Sequence, residues 1–441
     1  MHNTTRFASG SGWAFLGRIG ALSLGLISSV LLARVLAPAD FGTYFLILTI
    51  ARVAVLVGQI GMNQVVVRFI AGSMASGSPG MARDTVIKSF AIALAGSCFV
   101  GFAYILSSRI LAISFFGAPI MATVSGLVFF WIIAGTLRIL AAECFRGFND
   151  LKMASMFELF AFELLFSILI LVVWISYGEI VFYSAVFFST VAAIISAFPA
   201  ILLLRKKIIA LPAENIVSFH ELLQTGWPLL ISNIVVVIMT QVGLWIVGII
   251  ATPTDVALYA SAFRLVLLMQ LPLLILNSVV PQLIAELHVQ GNTMEIERTL
   301  RMVAMAEFVP TVVIYGIFLF FGQSFLTLFF GNFYADSYWI LILLGAGIMV
   351  NSWAGFCGPA LMMTGNQHSL MKISLICGML ALLFAFPIGK QFGAAGVAAV
   401  MAFINGVQHI CMLMAVKRHI GVWTMVGNLS GLARRVRHFG R

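Results

Sequence analysis

Twelve apolar stretches, each near the twenty residues that cross a hydrocarbon core, alternate with short polar segments along the chain. They run over residues 13–36, 41–62, 86–107, 119–142, 154–176, 181–204, 222–250, 256–285, 300–321, 337–363, 371–391 and 393–416. The pattern predicts an all-α integral membrane protein of about twelve transmembrane helices. Lysine and arginine set its orientation, because cytoplasmic loops collect them. With the N-terminus inside, eighteen of the 25 basic residues fall in cytoplasmic segments and five within spans, while only Arg109 and Lys390 face outward. Both termini are therefore expected in the cytoplasm.

The longest inward linker, "RKKIIALPAENIVSFHELL" from Arg205, follows the sixth span. It divides the chain into a six-helix lobe at 1–205, a cytoplasmic linker at 206–221, a second six-helix lobe at 222–418 and a basic cytoplasmic tail at 419–441. The sequence echoes itself across this linker. Gly12-Trp13 and Gly226-Trp227 each open a span that ends in Pro-x-Asp-x-x-x-Tyr, at Pro38, Asp40 and Tyr44 and again at Pro253, Asp255 and Tyr259. A repeat unit with an even number of spans enters the membrane the same way twice. The expected layout is two parallel lobes about an axis along the membrane normal, as in transporters whose substrate lies between lobes.

Composition agrees with the pattern. The chain is 62% hydrophobic and only 9% charged, with a mean hydropathy of +1.10, against roughly 25% charged residues in soluble domains. Its formal net charge of +10 does not mark a nucleic-acid binder, since that needs Lys and Arg gathered on a wet surface. The five cysteines lack metal-ligand spacing and read as helix-packing residues. The first apolar run is too long for a signal-peptide h-region and contains Arg34, so it reads as a span.

An arginine near the bilayer centre costs about 2.5 to 3.5 kcal/mol even on lenient insertion scales, so depth separates the five intramembrane cases. Arg18 and Arg34 lie near opposite ends of the first span and can snorkel to their interfaces; Arg34 can also pair with Asp40. Arg52 lies twelve residues, roughly 18 Å of helix, below Asp40. Arg264 occupies the matching helix of the second lobe, nine residues past Asp255. Arg138, near the inner end of the fourth span, either lines a cavity with Arg18 or snorkels. Arg52, Arg264, Arg18 and Arg138 are therefore the candidate residues for an anionic cargo.

Acidic residues are fewer. Glu143 with Arg146 and Glu297 with Arg301 have the spacing of local ion pairs. Glu158, Glu163 and Glu307 lie within spans near their inner ends, where they are either solvated or candidates to carry a coupling proton or sodium ion. Polar residues such as Gln59, Asn233, Gln241 and Gln408 can bind sugar hydroxyls or bridge helices. The tail places Leu429, Leu432, Val436 and Phe439 near one helical face among arginines, suiting an interfacial helix on anionic lipid or a simple positive-inside tail. No phosphate-binding P-loop occurs, and no metal or cofactor is expected.

"LLARVLAPADFGTYFLI" resembles the N-terminal signature of the polysaccharide-transporter (Wzx-type flippase) branch of the multidrug/oligosaccharidyl-lipid/polysaccharide exporter superfamily. "ALYASAFRL" at Ala257, "FFGNFYADS" at Phe329 and "LMMTGNQHSLMKIS" at Leu361 resemble that family's recurring pieces. The resemblance implies two six-helix lobes, alternating access, a cationic central cavity and a multi-pass protein of the cytoplasmic membrane. The implied cargo is an oligosaccharide on polyprenyl pyrophosphate, flipped from the inner to the outer leaflet for O-antigen, capsule or exopolysaccharide biosynthesis. The expected partners are that glycolipid, membrane lipids, a polymerase and glycosyltransferases, with no nucleic acid. Two rivals make different demands. A cation-coupled multidrug exporter of the same superfamily needs acidic groups where this chain has Arg18, and a membrane polysaccharide polymerase needs a sizeable outward catalytic loop.

Overall fold

The structure, a computed structural model, describes residues 2–178, 181–213, 217–277, 280–290 and 292–427. Among these there is no strand. The helices in chain order begin with α1 (His2–Val35), α2 (Pro38–Gly58), α3 (Met62–Ala75), α4 (Pro79–Ile110), α5 (Ile120–Thr123) and α6 (Ser125–Gly147). They continue as α7 (Leu151–Ser155), α8 (Ala161–Tyr177), α9 (Phe182–Ile209), α10 (Phe219–Ile250) and α11 (Pro253–Met269). The remainder are α12 (Leu271–Leu276), α13 (Val280–Val289), α14 (Thr293–Phe329), α15 (Tyr338–Ala354), α16 (Cys357–Met363) and α17 (Gln367–Ile420).

Nine segments among the described residues are long and apolar enough to cross a membrane. The last, α17, has 54 residues, or about 81 Å of helix at 1.5 Å per residue. Gly393, at φ +63° and ψ −150°, breaks it into two pieces, each long enough to cross. The seventh expected span corresponds to α10 and the eighth to the broken series α11 to α13. One helix was not foreseen: α3 occupies the segment read as a loop. The tail residues Leu429, Leu432, Val436 and Phe439 lie outside the described residues.

The repeat has a local meaning, because its Pro-x-Asp marks a helix start. Pro38 opens α2 with Asp40 in its first turn, and Pro253 opens α11 with Asp255 in its first turn. Proline at the first helical position loses no hydrogen bond, and a carboxylate there meets the positive end of the helix dipole. Asp255 also accepts from the backbone N–H and the hydroxyl of Thr252, at 3.0 and 2.6 Å. The tyrosine one turn further is buried in both copies; Tyr44 shares a 2.9 Å hydrogen bond with Ser189 and stacks on Phe166 and Trp131.

Two compact units comprise Met1–Ala257 and Leu258–Arg441. The division falls one helix later than the linker on which the sequence suggested it, because α10 packs on α2 and α3. In the first unit α6 is central, against α9, α4, α3 and α2. The linker itself is pinned to α4. Asp84 accepts the backbone N–H of Val217 at 2.8 Å, Lys88 donates to the Val217 carbonyl, and Arg83 donates to the Leu211 carbonyl at 2.9 Å. In the second unit α15 packs on α17 and α14.

The charge bias leads to a direct check of topology. Reporter fusions at Ser78, Ala213 and the C-terminus should read cytoplasmic, and one at Ser176 periplasmic. A periplasmic signal at Ala213 would overturn the even-numbered repeat.

Candidate functional site

The intramembrane charges of the first unit converge from α1, α6 and the segment joining α7 to α8. That joint is a π turn, Met156–Phe160. Its wider hydrogen-bond spacing leaves carbonyls short of their usual partners. Arg138 is only 4% exposed and supplies what is missing: its guanidinium donates to the Phe157 carbonyl at 2.6 Å and to the Glu158 carbonyl, and its charge lies 5.2 Å over the Phe162 ring. Arg138 therefore neither snorkels nor presents an open face.

The acids nearby are paired. Arg146 bonds Glu143 at 2.5 Å and Glu158 at 2.7 Å, so the expected local pair is a triad reaching into the π turn. Glu163, 7% exposed, accepts from the Ser28 hydroxyl of α1 at 3.1 Å and lies within electrostatic range of Arg138. It is buried rather than solvated. Arg18 is exposed and lies near Glu143. Three guanidiniums and three carboxylates thus share one neighbourhood and cancel in net charge. Helix α1 approaches it closely through glycine: a Cβ at Gly17 would meet Ser155 at 2.7 Å and one at Gly20 would meet Phe160 at 2.8 Å.

Arg52 is different. It is exposed on a helix buried along most of its length, and makes no ion pair within 4.0 Å among the described residues. One turn before it on α2, Thr49 accepts a 2.9 Å hydrogen bond from the Trp245 indole. Arg34 is also exposed. In the second unit Arg264 is half-buried on α11, and Glu307 on α14 is 3% exposed, with Oε2 unpartnered. The structure thus brings together Arg18, Arg138, Glu158 and Glu163, while Arg52 joins none of their ion pairs. Glu297 and Arg301 form their pair at 2.7 Å.

Some polar residues bridge helices: Asn233 accepts from Gln64 and Gln408 donates to Ser374, both at 3.1 Å. A cleft of about 420 Å³ lined by Arg68, Ser73, Ser76, Glu221 and Thr225 was not foreseen, because it depends on α3. No cluster of three metal-ligating side chains occurs among the described residues.

Arg138 offers a test of this arrangement. Arg138→Met removes a buried cation from paired partners, a change costing about 3 to 5 kcal/mol. A marked fall in melting temperature in detergent is expected; an unchanged value would show that the π turn does not depend on it.

Nine segments among the described residues long and apolar enough to cross a membrane mark a multi-pass membrane protein. The chain belongs to the polysaccharide biosynthesis protein family, which matches residues 7–288. Its fold is similar to that of an inward-facing multidrug resistance MATE family transporter of the MOP superfamily, at 14% identity over 91% of this chain and 94% of that one, with a TM-score of 0.75. It is also similar to the lipid II flippase MurJ in an inward closed conformation, at 15% identity over 91% and 87% of the two chains, with a TM-score of 0.68. A MATE protein in its bent conformation matches at 14% identity over 98% and 96%, with a TM-score of 0.65. No curated protein matches the chain.

Proposed function

We propose that the protein moves an oligosaccharide linked to polyprenyl pyrophosphate from the inner to the outer leaflet of the cytoplasmic membrane by alternating access. The observation that carries this reading is Arg52, an exposed guanidinium in an apolar helix that makes no ion pair among the described residues. A pyrophosphate is the costliest part of such a cargo to take out of water. A planar guanidinium offsets that cost with bidentate, charge-assisted hydrogen bonds. In this reading Arg52 takes the anionic head in the first unit, with Arg18 a further candidate on α1, Arg264 is the candidate of the second unit, and Arg138 holds the π turn in place. Membership of the polysaccharide biosynthesis family and the likeness to a lipid II flippase support it. Glycosyltransferases would supply the cargo and a polymerase would consume it.

The likeness to a multidrug transporter favours a second reading, export of amphipathic cations. One experiment separates the two. Purified protein in liposomes receives a fluorescent polyprenyl-pyrophosphate oligosaccharide or, in parallel, a cationic dye. Protein-dependent exposure of the glycolipid to a membrane-impermeant quencher is expected. Movement of the dye with a static glycolipid would overturn the proposal in favour of drug export.

A further inference from the structure

Of the three intramembrane acids, Glu307 is the most buried and faces a single side-chain hydroxyl. Glu158 is bonded to Arg146 and Glu163 to Ser28. Glu307 lies on α14, 3% exposed, and its Oε2 has no hydrogen-bond partner. Ser352, on the last turn of α15, faces it, and the Ser352 hydroxyl is likewise buried and unpartnered. The Ser352 hydroxyl is therefore the donor placed to meet this buried carboxylate, with water excluded from both.

The surroundings are those of a joint. Helix α15 ends at Gly355, which takes φ +76° and ψ −158° before α16 begins. A Cβ there would lie 2.9 Å from Ala304, one turn before Glu307, and 2.5 Å from the Thr424 carbonyl. The segment after α17 folds back on this break: Thr424 donates to the Ala354 carbonyl at 2.7 Å and lies 2.9 Å from Cys357 Sγ, and the Val426 N–H donates to the Trp353 carbonyl at 3.0 Å.

We propose that Glu307 and Ser352 form a proton-binding site in the second unit, placed where α14 meets the break between α15 and α16. This rests on the transport reading above and names its coupling residue. An ionised carboxylate with an unbonded oxygen is costly out of water. A proton taken from hydronium converts Glu307 to the acid, whose new O–H donates to Ser352 Oγ; the same proton later returns to water, and no other bond changes. A metal cation fits less well, since hard cations gather six or more oxygens. The neighbouring hydroxyl of Thr311 already donates to the carbonyls of Glu307 and Met269, at 2.8 and 3.3 Å. The thiol of Cys357 is the titratable group beside Glu307. On α14 itself Arg301 is paired with Glu297, and Glu286, His288 and Asp336 on the flanking elements are exposed; α12 and α15 carry no charge.

The test is difference infrared spectroscopy on the full chain in lipid bilayers as pH is varied. A carboxylic-acid carbonyl band that shifts in deuterated water should vanish in Glu307→Gln and persist in Glu158→Gln and Glu163→Gln. Ser352→Ala, which leaves the carboxyl in place and removes its hydroxyl partner, should move the pH midpoint of that band. A band that survives Glu307→Gln, a midpoint unmoved by Ser352→Ala, or a titration that follows sodium rather than pH overturns the site. These measurements contain no glycolipid, so a failed flipping assay with the band intact would overturn the cargo and leave the proton site in place.

Discussion

Arg52→Ala is expected to lower surface polysaccharide about 10- to 100-fold when it replaces the wild-type protein in a strain lacking this gene. That range is the loss of about 1.5 to 3 kcal/mol carried by hydrogen bonds to a charged group. The variant should accumulate normally in the membrane, because Arg52 is exposed and its removal leaves no buried partner. Arg52→Lys keeps the charge without the planar fork and should fall between the two. Membrane abundance must be measured in parallel. Normal surface polysaccharide from a well-expressed Arg52→Ala would make Arg52 structural and move the search for the anion site to Arg18 and Arg264. By contrast, Arg138→Ala is expected to fail in abundance before transport can be read, since Arg138 is buried and holds the carbonyls of the π turn.

The second large effect concerns packing. Gly42, in the first turns of α2, faces the start of the second copy of the repeat: a Cβ there would sit 1.8 Å from the Pro253 carbonyl oxygen and 2.9 Å from the Ala257 nitrogen. Both neighbours are backbone and cannot rotate away. Gly42→Ala should therefore cost at least the 1 to 3 kcal/mol typical of overpacking, about that or more, and lower both membrane abundance and melting temperature. Gly72 in α3 has nothing within 4 Å of its added Cβ, so Gly72→Ala should instead stabilise the helix by roughly 0.5 to 1 kcal/mol. Equal melting temperatures for the two variants would mean that the contact at Gly42 is absent in the membrane.

The glycine contact shows where sequence reasoning stops. The repeated Pro-x-Asp-x-x-x-Tyr was visible in the chain, and its meaning as a helix start follows from Pro geometry and the helix dipole. That the first copy lies against the second was not visible, because nothing in either motif records which backbone it touches. Glu143 with Arg146 and Glu297 with Arg301 were legible for the same local reason: residues three or four apart share a helix face. The third member of the triad, Glu158, lies twelve residues further on, inside the π turn.

Composition and helical period carry the membrane class, the apolar segments, the sign bias of the loops, the helix starts and the i,i+3 and i,i+4 pairs. Bilayer thickness and the cost of exposed backbone in lipid impose these one segment at a time. Only the tertiary structure decided which buried charges are satisfied. It placed Arg138 on carbonyls nineteen and twenty residues away, Ser28 on Glu163 across 135 residues, α10 with the first unit, and Ser352 against Glu307 out of water. The reason is physical. In lipid, helices gain little from burying apolar surface against one another, so their register is set by close packing of small residues and by a few polar contacts. Those depend on shape across the whole bundle, which no single segment specifies.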